Sequence, residues 1–329
     1  MNLRIILWNV RGLNDREKRS RVHNSLRMWK GDVVCLQETK METISTRVVR
    51  SIWGSPFVGW DFQAAEGASG GMLLMWDKRV VEQLDVAKGE FMLSCKFKCV
   101  EDECEWMFSG VYGPNRDSDR KLLWEELSGI GSWWSLPWCI GGDFNVVRFP
   151  NERGAGGGIS SAMWDFSDFI SDQGLLDLPL VGGRFTWSSN QDNPSMFRLD
   201  RFLVSPEWDI QFPTAVQSLL PRTLSDHFPI LLDCGRNQGG KSPFRFENMW
   251  LKSEGFVERV KQWWDSYVFE GSPSHILSQK LMALKADLKQ WNRDVFGDVG
   301  VRKGELMREI QQLDALEESR SLTIEERTF

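Results

Sequence analysis

The sequence predicts a mixed α/β fold, with mixed β-sheets and helices packed outside them. Three observations predict it. Apolar runs of strand length recur through the chain as far as Cys234, several with strand-like alternation. Helical stretches separate them at irregular intervals, which does not fit a regular βαβ repeat. After Cys234 the strand pattern stops and only amphipathic helical patterns follow.

Taken in order, residues 3–9 read as a strand and 16–29 as a helix with Val22, Leu26 and Trp29 on one face. Asp32-Val33-Val34-Cys35-Leu36 is an apolar run suited to a buried strand. A helical stretch follows near 43–53, then a second buried strand at Gly71-Met72-Leu73-Leu74-Met75-Trp76. Met92 to Val100 alternates as half-buried strands do, and Trp106 to Val111 follows across an acidic turn. Residues 118–134 are helical in pattern, with Leu123, Leu127 and Ile130 in line, and Trp138-Cys139-Ile140 leads into Gly141-Gly142-Asp143. Ser160 is placed to cap a helix through Phe169 that Gly174 ends. Later strands are expected at 185–187, 201–204 and 229–232. Gly235 to Pro243 reads as a linker. Beyond it, helices are expected at 254–269, 275–296 and 303–318, with apolar stripes that read as packing faces. The domain reading is therefore 1–235, a linker at 236–250, and a helical segment at 251–329.

Composition fits a soluble globular protein: 41% hydrophobic and 26% charged residues over a length of 329. No run approaches the ~20 apolar residues that span a bilayer. Leu3-Arg4-Ile5-Ile6-Leu7 is too short and too strand-like for a signal peptide. The six cysteines are scattered through strand patterns; Cys95, Cys99 and Cys104 are close, but without a nearby histidine they read as reduced thiols rather than a zinc site. A net charge of -6 does not favour tight, sequence-blind nucleic-acid binding. It does not exclude a nuclease, because a carboxylate cluster that binds metal makes the count more negative. The basic residues Arg11, Arg16, Lys18, Arg19, Arg21, Arg27 and Lys30 read as a solvated helix face in preference to a phosphate-tracking patch. Residues 150–158, with Gly154, Gly156, Gly157 and Gly158, read as a flexible connector in preference to a mobile loop at the cleft.

The functional signal is a series of short polar signatures, each ending a strand pattern: Trp8-Asn9-Val10, Leu36-Gln37-Glu38-Thr39, Val111-Tyr112-Gly113-Pro114-Asn115, Gly141-Gly142-Asp143-Phe144-Asn145, Arg198-Leu199-Asp200 and Ser225-Asp226-His227. Strand ends present side chains to a crevice. Asn, Glu, Asp and His gathered there suit a hard divalent cation held against a phosphate. Glu38 suits a primary ligand, with Gln37 and Asn9 orienting water or phosphate. Asp143 and Asn145 alternate along an extended segment and share a face, one as base or water-orienter and the other as a donor to phosphate. His227 is placed to pair with Asp200, which would fix its tautomer and raise its basicity. Any one of these residues alone is by default a surface acid, a turn or a structural histidine; the weight lies in six signatures in order.

On these residues the chain resembles the endonuclease/exonuclease/phosphatase superfamily, which includes abasic-site endonucleases and deoxyribonuclease I, over about residues 1–235. It looks most similar to the endonuclease domain of plant LINE-type (non-LTR) retrotransposon polyproteins. Residues 8–14, Trp-Asn-Val-Arg-Gly-Leu-Asn, 182–188, Gly-Gly-Arg-Phe-Thr-Trp-Ser, and 198–204, Arg-Leu-Asp-Arg-Phe-Leu-Val, carry that finer match. The tail from Phe244 to Trp250, through Trp291-Asn292 to Phe296-Gly297, is similar to the segment joining that domain to reverse transcriptase. No polymerase signature is present, so the chain reads as a truncated or degenerate element product.

The resemblance implies a four-layer α/β sandwich of two packed mixed sheets flanked by helices, with a C-terminal helical extension. It implies Mg²⁺ or Mn²⁺ on Glu38, with Asn9 and Asp226 at the metal side. Tyr112 would contact the scissile phosphate or help the leaving group, Asp143 would activate water, Asn145 would bind phosphate, and Asp200 would orient His227. Asn115 and Thr186 are candidates for DNA contact. Tyr112 stands where the deoxyribonuclease I branch tends to carry histidine. Arg11 stands where some relatives carry an acid, so it would weaken a second metal contact or add a phosphate contact. The implied activity is DNA nicking that leaves a 3′ hydroxyl to prime reverse transcription, in an intracellular, nuclear protein with a reverse transcriptase module as partner. The competing readings are a phosphatase of the same fold, an RNA-directed nuclease such as a deadenylase, and an inactive remnant acting only through its helical tail.

Overall fold

A computed structural model describes residues 3–67, 69–189, 191, 193–235, 250, 251, 253–271, 273–296, 299–318, 320, 322, 323 and 326. The strands are β1 (Arg4–Asn9), β2 (Val33–Gln37), β3 (Val58–Glu66), β4 (Ser69–Asp77), β5 (Val81–Lys88), β6 (Met92–Cys99), β7 (Glu105–Tyr112), β8 (Trp138–Asp143), β9 (Leu176–Asp177), β10 (Leu180–Val181), β11 (Trp187–Ser188), β12 (Met196–Phe197), β13 (Asp200–Val204), β14 (Val216–Leu219) and β15 (Ile230–Asp233). The helices are α1 (Arg16–Trp29), α2 (Thr46–Trp53), α3 (Asp117–Trp134), α4 (Ser161–Asp172), α5 (Pro206–Gln211), α6 (Phe256–Ser266), α7 (Pro273–Phe296) and α8 (Val299–Glu317).

Period-two alternation builds the layers. In β1, Ile5 and Leu7 point into one core while Ile6 and Trp8 point into another. Val33 and Cys35 of β2, and Met72, Leu74 and Trp76 of β4, join the first; Val34, Leu36, Leu73 and Met75 join the second. A strand buried on both faces reads as a continuous apolar run, which is why these segments are visible in the sequence. The first core lies between two sheets, ordered β10-β14-β15-β1-β2-β4-β3 and β5-β6-β7-β8-β13-β9. The second packs α1 and α2 on the outside of the first sheet, through Val22, Leu26, Trp29, Val49 and Ile52. A third, with Trp124 stacked on Phe166 and Phe169, packs α3 and α4 outside the other sheet. The result is the expected sandwich: helix, sheet, sheet, helix.

Both sheets are mixed. β1 pairs parallel with β2, and β7 pairs parallel with β8, while their other neighbours run antiparallel. The strands at 58–66, 81–88 and 216–219 do not stand out in the sequence. β3 and β5 are sheet edges with half-exposed, polar-rich faces, and β14 carries Gln217 and Ser218 in only four residues. The strand expected at 185–187 is the two-residue β11, in a two-stranded sheet with β12.

The chain falls into two compact units, residues 1–236 with 310–329 and residues 237–309. The second unit contains α6 and α7, joined by a small core of Trp250, Phe256, Leu288 and Trp291, with the Trp250 indole donating to Asn292 Oδ1 at 2.8 Å. The expected linker, apart from Trp250, and the Phe244–Met249 and Gly297 parts of the tail motif lie outside the described residues. None of the described helices is long and apolar enough to cross a membrane.

Candidate active site

Register brings the signatures together. Parallel pairing sets Asn9 beside Gln37 at the carboxyl ends of β1 and β2, so Glu38 is the first residue beyond the ladder. In the other sheet Tyr112 is beside Asp143 at the carboxyl ends of β7 and β8, and Asp200 opens β13 directly opposite Asp143. His227, just before β15, bridges to Trp187. Glycines let the sheets close on each other here. A Cβ on Gly110 would lie 2.6 Å from Cys35 Sγ, one on Gly141 2.5 Å from Leu7 Cδ1, and one on Gly142 would run into the Val111 carbonyl and the Gln37 amide.

The backbone is also bent into the site. Seven described non-glycine residues have positive φ. Lys30 and Ser135 close the ends of α1 and α3, and Glu103 turns the β6–β7 hairpin. The remaining four, Arg11, Glu38, Lys40 and Asn145, all follow strand ends at the site. Such strained positions persist where surrounding contacts hold them, and they concentrate at functional sites.

Asp143, Asp200 and His227, all buried, bring one ligand atom each within 4.8 Å of one another. Asp200 Oδ2 is 2.9 Å from His227 Nδ1, and Asp143 Oδ2 is 3.6 Å from His227 Nε2. The Asn9 amide donates to Asp143 Oδ2 and to Glu38 Oε1, each at 3.1 Å, and the Tyr112 hydroxyl donates to the same Glu38 oxygen at 2.9 Å. Glu38 Oε2 instead faces two cations, Arg11 Nε at 3.6 Å and Lys40 Nζ at 3.8 Å. Arg11 Nη1 donates to Asp226 Oδ2, which also accepts from the Trp187 indole at 2.8 Å.

Burial pushes the Asp143 carboxyl up to about 6 against the opposing pull of His227. For His227 burial acts to lower the imidazolium, but Asp200 and then Asp143 outweigh it and hold it at about 9. Burial and then Glu38 push the Tyr112 hydroxyl far up, so it stays protonated. The site at neutral pH therefore offers an imidazolium clamped between two acids and a carboxyl poised near the working range of a general base. A divalent ion that takes oxygen ligands fits beside it. Glu38 Oε2 belongs to a buried carboxylate and faces the Arg11 and Lys40 cations, while the Asn9 amide links its other oxygen to Asp143.

Arg11, Glu38, Tyr112 and His227 line a cleft of about 1120 Å³. Gly154 and Gly156, read as connector, form part of its wall, as do Trp187 and Phe197, stacked 5.5 Å apart. A second recess of about 780 Å³ adjoins it at Arg11 and Asp226 and is lined by Lys18, Arg21 and Arg222. Part of the basic helix is thus turned toward the site.

Asn9, Glu38, Tyr112, Asp143, Asp200, Asp226, His227 and Arg11 are joined in one network. Asn115 and Asn145 line the cleft, but the Asn145 amide donates to the Gly113 carbonyl at 2.7 Å. Thr186, expected at the DNA surface, is fully buried, and its hydroxyl accepts from the Leu199 and Asp200 backbone N–H groups, each at 2.9 Å. It holds Asp200 from behind. Sequence reasoning missed Lys40, Trp187 and the buried network in which Arg201, fully enclosed, pairs with Glu152 and Asp177 at 2.8 Å each. The Asp-Arg step at 200–201 was its only trace: in a strand, neighbours face opposite sides, so a buried charge beside a site acid needs its own partners.

The family described as endonuclease/exonuclease/phosphatase matches residues 6–227. A search of curated proteins found no match. Solved structures with the same fold include a 3′ phosphatase, NExo, from Neisseria bound to product DNA hairpin, with a TM-score of 0.54 and 17% identity over 70% of this chain and 98% of that one. An AP endonuclease from Leishmania major aligns with a TM-score of 0.56 and 18% identity, over 70% and 87% of the two chains. One from Archaeoglobus fulgidus gives 0.53 and 16%, over 70% and 98%.

Proposed function

This chain belongs to the endonuclease/exonuclease/phosphatase family of hydrolytic enzymes, and from that premise we propose that it is a Mg²⁺- or Mn²⁺-dependent phosphodiesterase that nicks DNA and leaves a 3′ hydroxyl. The observation that carries the proposal is His227, set 2.9 Å from Asp200 and 3.6 Å from Asp143 in a cleft that Glu38 also lines.

Asp143 takes the proton of the attacking water, with Asn9 fixing the orientation of its Oδ2. His227, oriented through Nδ1 by Asp200, presents Nε2–H to a phosphoryl oxygen, where an enclosed cation is worth most. The Tyr112 hydroxyl stays protonated and is placed to donate to the leaving oxygen. A divalent ion on Glu38 would supply charge stabilisation at the phosphoryl oxygens. The Trp187 and Phe197 rings in the cleft wall offer faces to a base, and the neighbour bound to a DNA hairpin supports DNA as the substrate class. The motifs at 8–14, 182–188 and 198–204 support the finer reading of target-site nicking by a LINE-type element, acting in the nucleus with a reverse transcriptase module of a longer polyprotein.

The test is conversion of supercoiled plasmid to nicked circles with Mg²⁺, with EDTA, and with Asp143→Ala and His227→Ala, alongside poly(A) cleavage. Nicking that needs the ion, falls by at least about 10³ in both variants and yields ends a polymerase extends is expected. Equal nicking by all three proteins, or preference for poly(A), overturns it.

A further inference from the structure

Arg11 lies between the two acids assigned to the metal side. Its backbone is fixed at both ends: its N–H donates to Asn9 Oδ1 at 3.2 Å and its carbonyl accepts from Lys18 Nζ at 3.1 Å. Left-handed φ at Arg11 turns the chain back so that the guanidinium reaches over the end of β1. It ion-pairs with Asp226 through Nη1 and approaches Glu38 Oε2 through Nε.

The two acids are not equivalent. Asp226 Oδ2 accepts from both Arg11 and Trp187, and its Oδ1 from the Ser225 hydroxyl at 3.2 Å, so its charge and three of its roughly four lone-pair sites are already met. Glu38 Oε2 has cations at 3.6 and 3.8 Å, beyond hydrogen-bond reach, and keeps its lone pairs.

Resting on the metal-dependent reading above, we propose that Arg11 is a resident cation in the place where a second divalent ion would sit, so that this protein binds one divalent ion, on Glu38, and not two. The half-exposed guanidinium borders both recesses, and its outer edge is placed to meet a phosphate oxygen, which Arg does well. Arg11 is in this sense a positioning residue for Asp226 and a determinant of metal number.

The test counts ions rather than turnover. Protein stripped with EDTA is titrated with Mn²⁺ alone, with bound ion read by electron paramagnetic resonance and heat by calorimetry, for wild type, Arg11→Met, Arg11→Gln and Glu38→Gln. One ion is expected on wild type and two on Arg11→Met. The first ion should bind at least about tenfold tighter in the variant, because a like charge is gone from beside Oε2. Arg11→Gln guards against a misfolded variant, and thermal melts in EDTA and in Mn²⁺ should show a larger Mn²⁺-induced rise for both Arg11 variants than for wild type. Two ions on wild type, or one ion of unchanged affinity on the folded Arg11 variants, overturns this proposal and leaves the metal-dependent reading standing. No ion on any of the proteins overturns both.

Discussion

Replacing Asp200 with Asn removes one charge 2.9 Å from His227 Nδ1 while keeping the size of the side chain, and both residues are almost fully buried. A unit charge at such a distance is worth on the order of 4 kcal/mol at the effective dielectric of a protein site. His227 is held at about 9 instead of 6.5. At about 1.4 kcal/mol for each pH unit, protonated His227 stabilises the folded state by up to ~3 kcal/mol. Because the folded value is raised, that contribution is complete below pH 6.5 and is lost as pH climbs through about 9. The raised Asp143 carboxyl has its own window, from 3.8 to about 6, with stability again falling as pH rises, so the two effects separate. In Asp200→Asn the titration of His227 should fall by roughly two or more pH units, because burial is then opposed only by Asp143 and, more weakly, Asp226. The assay is NMR of the imidazole carbons in EDTA-treated protein, where only His23 and His275 share the spectrum and His227→Gln identifies the signal. Urea melts at pH 6.5 and 9 should differ by about 3 kcal/mol less in the variant than in wild type. Plasmid nicking at pH 7.5 should drop on the order of 10²–10³-fold as the imidazole becomes neutral. His227 still titrating near 9 in Asp200→Asn, or an unchanged dependence of stability on pH, would refute the assignment of its charge to Asp200.

Three further outcomes follow from the same geometry. Thr186→Val strands two buried backbone N–H groups and should cost about 2–4 kcal/mol in urea melts; a neutral change would show that the hydroxyl does not hold Asp200. Arg201→Met removes the fully enclosed cation 2.8 Å from both Glu152 and Asp177, leaving them only Arg198 and Arg148 at 3.1–3.4 Å, and should cost up to about 3–5 kcal/mol, whereas a melt matching wild type would mean that the network is dispensable. Glu38→Gln keeps the hydrogen bonds at one oxygen but removes the charge, so calorimetric Mg²⁺ binding should weaken at least about 100-fold while the fold persists; binding that survives would move the ion to the Asp143, Asp200 and His227 cluster.

Legibility followed burial. The central strands β1, β2, β4, β7 and β8 could be read because both faces are enclosed along their middles, where the run is mostly apolar. Edge strands β3 and β5 were not read because one face is wet and their polar residues imitate loop. Thr186 was misjudged because a hydroxyl in a Phe-Thr-Trp string carries no mark of whether it faces substrate or a neighbouring backbone. The helices beyond Cys234 were legible from their apolar stripes, although α8 from Ile310 onward belongs with the first compact unit.

The amino-acid order alone determined which residue types stand at the strand ends, because alternation and turn chemistry are local and need only a few neighbours. It thereby pointed to mixed sheets with helices outside them and to the chemical class of the site. Only the tertiary structure decided which oxygens of those acids are occupied. That depends on register between β1 and β2 and between β7 and β8, and on glycines that let two sheets meet. It depends also on a single left-handed turn that lays Arg11 between Glu38 and Asp226. Distances between groups far apart in the chain are set by packing, and it is distance that makes an acid a base, a ligand or a counter-ion.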